Sequence, residues 1–357
     1  MKVFNITQFT FEKLTVQFRE EYISSYFLVI HTTEEIKGYF GPLYKPYIST
    51  YMELLRPLLG MNPLHIEVIW EKIWKSQIGG RTGLFMEFLS AVDCALWDIK
   101  GKYFKSATFE VLGGPTRNSV PCYASMLGFR ENTPDSIKIA KEYFHKGFKN
   151  QKWPIRSHNH KNVRDQIQTI QELVKAVPDC NFSFDIFGQW NITDYHMFLQ
   201  TIDEVNISWL EEPLIPEQSL TSIPGKIPLA IGEHLYNIFE FKDIISNEQI
   251  LYLQPDIGRC GGFTEALRII SLAKAFGKMV VPHGHNLQPA INIAMANHSN
   301  IMPMVEYHVT IEPRRQCFYK YPIKVEDGKV VMDEFYGSGV EYDERKIIKK
   351  QYLVSII

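Results

Sequence analysis

Cysteine is sparse in this 357-residue sequence. The five residues, Cys94, Cys122, Cys180, Cys260 and Cys317, are widely spaced, odd in number and form no CxxC pair. That weakens both a disulfide framework and a zinc site, and fits reduced thiols in a cytoplasmic enzyme. No stretch approaches the roughly 18 uninterrupted apolar residues of a membrane span. Residues 1–10 are mixed polar and apolar and lack the apolar core of a signal peptide. An excess of either charge is missing as well. There are 38 Lys and Arg against 40 Asp and Glu, for a net charge of −2, with no basic footprint for nucleic acid. Several catalytic signatures are absent. Gly79-Gly80-Arg81-Thr82-Gly83 fits neither GxGxxG nor a Walker loop, and no GxSxG elbow occurs. There is no low-complexity tract and no fixed-period repeat. What remains is a globular composition, 45% hydrophobic and 22% charged, with length for one large domain or two ordinary ones.

The chain changes texture part-way along. Residues 26–32 (YFLVIHT) read as a strand, with a turn at Lys37-Gly38. Residues 82–104 read as a long helix, because Phe85, Leu89, Val92, Leu96 and Ile99 recur at three- and four-residue spacing. Gly113-Gly114-Pro115 then breaks the chain and marks a candidate domain boundary. Eight short apolar strands follow, at 120–125, 148–153, 181–185, 207–210, 229–231, 251–254, 279–282 and 304–306. Helical patterns separate most of them. Thr133 before Pro134 and Asp135 is a good helix start. Val163, Ile167, Ile170, Val174 and Val177 share one face; Phe263, Leu267, Ile270 and Ala273 share another, stopped by Gly277. The helix after the fourth strand is poorly marked in the Pro-rich stretch 213–228. Strands alternating with helices in this way predict an α/β barrel. Residues 315–357 show no further strand–helix repeat and are expected to pack back on the first domain.

Barrel active sites lie where strands meet the loops that follow them. The third strand ends in Asp185 (NFSFD), the fourth in Glu211 (ISWLEEP) and the fifth in Glu233 (PLAIGEH). The gaps are 26 and 22 residues, about one βα unit each. Neighbouring strands lie ~4.8 Å apart, so three consecutive ends can aim at one point. Bare carboxylates gathered there repel and resist burial, and a hard cation such as Mg²⁺ resolves both problems. The plainer alternative is three acids that cap the helices after their strands.

The sixth strand leads to Asp256 (LQPDIGRCGG) and the seventh to His283 (VVPHGH). An adjacent carboxylate would orient the imidazole and raise its pKa, making it a general base or acid near neutrality. Lys152, ending the second strand, would stabilise negative charge beside the metal, or else be a solvated lysine. Glu306 on the eighth strand is either an acid closing the ring or a structural residue. His234 and His285 follow site residues directly and are candidates to touch substrate, although neighbours on a strand point apart. His158 and His160 are expected in a solvated loop.

These motifs resemble the enolase superfamily, in its mandelate racemase and muconate lactonizing branch. The likeness extends to SAVDCALWDIKGK at 90–102 and VLGGP at 111–115, and so runs through nearly the whole chain. It implies a modified TIM (β/α)7β barrel at 118–310, under an α+β capping domain built from residues 1–117 and 311–357. Within the branch the chain is similar to acid-sugar dehydratases of the rhamnonate dehydratase kind, through Lys152-Trp153-Pro154, Glu233-His234 and the PDIGRCGG turn. The resemblance implies a Mg²⁺-dependent dehydratase with Asp185, Glu211 and Glu233 as metal ligands and the Asp256–His283 dyad as main base. Two departures count against two-base racemisation: Pro154 replaces a second lysine on the second strand, and Phe187 stands where some dehydratases carry a histidine. The alternatives are a single-base epimerase or cycloisomerase, and a non-catalytic sugar-acid binding protein. Specificity is expected in capping loops near 15–26 and 40–51, which contain Arg19, Tyr22, Tyr44 and Lys45. A small acid sugar is the expected partner, with no nucleic acid and no membrane, and the family implies a homo-oligomer.

Overall fold

The computed structural model describes residues 4–43, 46–202, 207–216, 225–331 and 334–357. The chain opens with an antiparallel meander of β1 (Ile6–Phe18), β2 (Glu21–Thr32) and β3 (Lys37–Leu43). The last strand, β14 (Ile347–Ile356), pairs with β1, giving the order β14-β1-β2-β3. The predicted strand at 26–32 is the inner half of β2. The region expected as a capping loop at 15–26 is instead a hairpin. Phe18 pairs with Glu21, and the turn is only Arg19 and Glu20. The alternation in Thr-Val-Gln-Phe and Tyr-Ile-Ser-Ser satisfies a sheet, which periodicity alone undervalued because both strands carry polar residues. Of the second expected loop, residues 40–43 belong to β3, and Tyr44 and Lys45 lie outside the described residues.

Behind this sheet lie α1 (Ile66–Ser76) and α2 (Leu84–Tyr103). All five apolar residues that predicted α2 are buried. A short helix, α3 (Thr108–Val111), leads to the barrel.

Eight parallel strands form the barrel: β4 (Ser119–Ser125), β5 (Asn150–Pro154), β6 (Asn181–Asp185), β7 (Ile207–Glu211), β8 (Leu229–Ile231), β9 (Ile250–Leu253), β10 (Met279–Val280) and β11 (Val305–His308). Neighbours pair in chain order and β11 pairs with β4. Between β10 and β11, Val280 N–H donates to Ile301 C=O at 2.7 Å. The connecting helices are α4 (Pro134–His145), α5 (Val163–Ala176), α6 (Ile192–Thr201), α7 (Ile238–Ile244), α8 (Gly262–Ala275) and α9 (Leu287–Ala296). Residues 217–224, where the fourth helix was weakly marked, lie outside the described residues.

The start of α4 is where expected, but Thr133 does not cap it through its side chain. Side-chain caps do come from Asn162, Asn191 and Asn237 on α5, α6 and α7. Gly277 ends α8 at φ +65°, a left-handed stop. After the barrel come α10 (Glu312–Gln316) and a hairpin of β12 (Lys324–Glu326) and β13 (Lys329–Val331), laid antiparallel along β4.

Inside the barrel, Tyr123, Trp209, Ala230 and Val281 pack with Tyr252 and Met304 into an apolar floor. Side chains alternate along a strand, so the next inward residues towards the strand ends are Ser125 and Glu211. The floor therefore lifts the polar residues to the mouth. No described helix is long and apolar enough to cross a membrane.

Candidate active site

Strand register sets the site. Pro154, Asp185, Glu211 and Ala230 are successive partners across β5 to β8. Asp185 and Glu211 are thus side by side, and Glu233 follows two residues after β8. Asp256 and His283 each lie three residues beyond their strands, on β9 and β10. All are buried except Glu233 and His283, which are partly open.

Lys152 is fully buried, not solvated. Its Nζ donates to Glu211 Oε1 at 2.5 Å and lies 3.1 Å from Glu306 Oε1. Although burial opposes it, the two carboxylates hold the ammonium well above its ordinary pKa. The other oxygen of Glu211 accepts from Trp209 Nε1 at 3.1 Å and from Gln254 Nε2 at 2.6 Å. Glu306 also accepts the Gly284 N–H at 2.8 Å. Despite burial, Lys152 and His283 hold Glu306 below the usual carboxylate range, so in this arrangement it is an ion-pair partner rather than an acid.

His283 sits between two carboxylates. Nδ1 is 2.7 Å from Asp256 Oδ2 and Nε2 is 2.9 Å from Glu233 Oε2. Against the effect of burial, both contacts raise its pKa well above the ordinary value. Asp256 is pulled up by burial, but His283, Arg259 and His285 hold it at about 2. It also accepts the Gly258 N–H at 2.7 Å. The turn that carries His283 is held at both backbone groups of the next residue, because Arg315 Nη1 donates to Gly284 C=O at 2.8 Å. A side chain at Gly284 would meet Glu306 at 2.7 Å, so the chain must pass with none.

The carboxylates crowd one another. Asp185 is pushed well up by burial, then by the charges of Glu211 and Glu233. Burial also raises Glu211, in spite of Lys152. An excess of buried negative oxygen fits a hard divalent cation. In the present geometry, however, Glu233 is turned towards His283. Among the described residues, the three whose ligand atoms lie within 4.8 Å of one another are Glu212, Glu233 and His234. His234 Nδ1 lies 2.8 Å from Glu212 Oε2, and this contact raises its pKa.

His285 is partly buried and its ring nitrogen is 3.8 Å from Asp256, with a pKa lowered by desolvation to about 3. It also lines a cavity of about 530 Å³ between the capping hairpin and the barrel, with Ser24, Ser25, Pro42, Arg314 and Arg315. His158 is exposed as expected, but His160 is not solvated. It lies 2.8 Å from Arg156 C=O and 3.1 Å from Thr169 Oγ1, a structural pairing. Phe187 has φ +55°, its N–H donates to Asp185 Oδ1 at 2.9 Å, and the Arg156 guanidinium lies over its ring.

Sequence reasoning missed Trp209, Gln254, Glu212, Arg259 and His308. Strand alternation was the available signal for two of them. Trp209 stands two residues before Glu211, and His308 two after Glu306.

A parallel barrel with a carboxylate-lined mouth, covered by a sheet from both ends of the chain, places the protein among capped (β/α) barrels. Residues 135–346 match the enolase C-terminal domain-like family, and the chain belongs to it. The chain is 29% identical over 303 residues to D-galactarolactone cycloisomerase of Agrobacterium fabrum, covering 80% of this chain and 79% of that protein. It is 29% identical over 316 residues to L-rhamnonate dehydratase of Saccharopolyspora erythraea, covering 84% and 77%. It superposes on the crystal structure of 3,6-anhydro-D-galactonate cycloisomerase of Zobellia galactanivorans with a TM-score of 0.83, at 25% identity, covering 97% and 100%. The chain is an enzyme of the enolase superfamily.

Proposed function

We propose that this enzyme is a Mg²⁺-dependent acid-sugar dehydratase that converts a sugar acid to a 2-keto-3-deoxy acid. The observation that carries the reading is the placement of His283. Asp256 fixes one ring nitrogen, and the other is directed at the carboxylate cluster. Pro154, at the end of β5, and Phe187, two residues past the end of β6, offer no base.

Asp185, Glu211 and Glu233 would hold the cation, and their crowded, buried oxygens suit it. Bound there, Mg²⁺ supplies Lewis-acid stabilisation for charge on the substrate carboxylate. Lys152 adds a fixed positive charge in a dry site, where such groups act most strongly. With Glu233 turned away, His283 Nε2 is free to take the proton from C2. The C–H electron pair moves into the C1–C2 bond and onto the carboxylate oxygens as an enediolate. Those electrons then form the C2–C3 double bond as the C3–O bond breaks. Protonated His283 returns its proton to the departing hydroxide, releasing water. The enol left behind tautomerises to the 2-keto acid. The distal hydroxyls would extend into the cavity beside His285, between Ser24 and Arg314.

Purified protein with Mg²⁺ is tested against a library of aldonic and aldaric acids for 2-keto product. Exchange of the alpha proton with solvent deuterium, with no keto acid, would sink dehydration. It would favour the second reading, a cycloisomerase, which the likeness to two cycloisomerases supports. The proposal carries with it a homo-oligomer in the cytoplasm.

A further inference from the structure

We propose that His308 is a substrate-contacting residue that hydrogen-bonds a hydroxyl of the sugar chain and so selects among acid sugars. The inference rests on the acid-sugar reading above.

On β11, Glu306 and His308 are two residues apart and therefore share the inward face. Glu306 is already fixed at the mouth by Lys152 and Gly284. His308 lies one step nearer the open end. It is the register partner of Ser125 on β4, and Ser125 in turn is the partner of Lys152 on β5. Three adjacent strands thus present His308, Ser125 and Lys152 in one row, next to the turn that carries His283.

The rival explanation is a packing histidine with both nitrogens satisfied. The geometry argues against it. Nδ1 has one long contact, 3.3 Å to Thr310 Oγ1, and among the described residues no hydrogen bond engages Nε2. The residue is 9% exposed, and Nε2 is not among the buried atoms left without a partner, so it is open to a group arriving at the mouth. Burial first, and then the cations Arg315, Lys152 and His283, hold the ring at a pKa of about 4 against the pull of Glu306. It is therefore neutral at working pH, with one donor and one acceptor nitrogen. Such a ring suits a hydroxyl, which both gives and takes a hydrogen bond. Lys152 and a cation held by Asp185, Glu211 and Glu233 would take the acid end of the substrate, and His283 would face the reacting carbon. What is left to pass β11 is the hydroxylated chain.

The experiment is a cycle of variant against analogue. Wild type and His308→Phe are compared by kcat/KM on the acid that the library identifies as best, and on its 4-deoxy and 5-deoxy forms. The wild type is expected to lose about 10- to 100-fold on the analogue lacking the contacted hydroxyl, the range of a hydrogen bond left unpaired in a closed site. His308→Phe is expected to lose as much on the parent acid and nothing further on that analogue. His308→Gln, which keeps a donor and an acceptor, is expected to recover most of the loss. It also carries the test if the Phe variant does not fold by thermal melting. Activity within twofold of wild type in His308→Phe overturns the proposal, as does an equal loss on the parent and both analogues. If wild type converts no acid, the acid-sugar reading falls and this inference with it. If conversion persists but the cycle is additive, only the assignment of His308 falls.

Discussion

Two clusters of buried acids divide this molecule, and they are built on opposite terms. At the seam between cap and barrel, Asp93 accepts from Thr264 N–H at 3.0 Å and Thr264 Oγ1 at 2.5 Å. Within the cap itself, Asp98 accepts from Tyr39 N–H at 3.0 Å, Ser338 N–H at 2.8 Å, Ser338 Oγ at 3.0 Å and Lys102 Nζ at 2.7 Å. Ser90 accepts from Gly261 N–H, and Trp70 donates to Gly261 C=O. Each acid there meets donors. At the barrel mouth, Asp185 and Glu211 are register partners and Glu233 adds its charge to theirs, with Lys152 and His283 as the counter-charges. Satisfied acids staple two layers together. Crowded acids hold open a demand for positive charge, and that marks the site.

The largest effect should separate chemistry from fold. His283→Asn is expected to lower turnover at least about 10³-fold, in the upper part of the usual span of lost general acid–base help because the same residue serves both proton transfers. Melting temperature and Mg²⁺ binding by calorimetry should stay near wild type. Normal turnover would remove His283 from the mechanism. Lys152→Met tests the mouth directly. It leaves Glu211 and Glu306 without their shared cation, a loss of about 3–5 kcal/mol for a broken buried pair. Turnover should fall about 10²-fold, and added Mg²⁺ should raise the melting temperature more than in wild type. A variant that melts like wild type without metal would show that the mouth is not charge-stressed.

The acids that meet donors should answer differently. Asp98→Ala leaves several buried donors unpaired and should cost about 2–4 kcal/mol in denaturant unfolding. The folded fraction should keep its kcat. A selective loss of kcat would erase the distinction between the clusters. The smallest effect concerns pH. Burial, despite the Thr264 bonds, raises Asp93 from 3.8 to about 7. In the pH range between those values the folded chain keeps a proton that the unfolded chain has lost. The stability this gives is whole below the lower value, declines as pH rises, and is gone above about 7. Wild type should therefore lose more melting temperature from pH 5 to pH 8 than Asp93→Asn does, and parallel curves would clear Asp93 of the effect.

Much of this was legible in the sequence because a strand end is a local event. NFSFD, ISWLEEP and VVPHGH each announce an apolar run stopped by a polar residue at the barrel mouth, and all eight barrel strands lie within a few residues of their predicted places. What was hidden depends on contact. Lys152 read as a plausible solvated side chain because its two carboxylates come from β7 and β11, 59 and 154 residues away. Glu306 gave no clue that Gly284 would bind it. The β1–β2 hairpin read as a loop because its strands carry Thr15, Gln17, Ser24 and Ser25, and no linear pattern reveals that Thr15 and Ser24 bond across the strands. His308 follows Glu306 by two residues on a four-residue strand, too short for its inward alternation to stand out.

The pairing of β14 with β1 has a consequence for how the molecule is made. Phe9 finds Ile356, and Val16 finds Ile347, across almost the whole chain. On a ribosome, β1 must wait with one edge bare while every barrel strand is synthesised, and such bare edges invite pairing with other chains. The barrel's closing pair, β11 on β4, is available earlier. Synthesis thus favours a barrel whose mouth exists before its cover is complete, with the sheet above it sealed by the last strand to arrive.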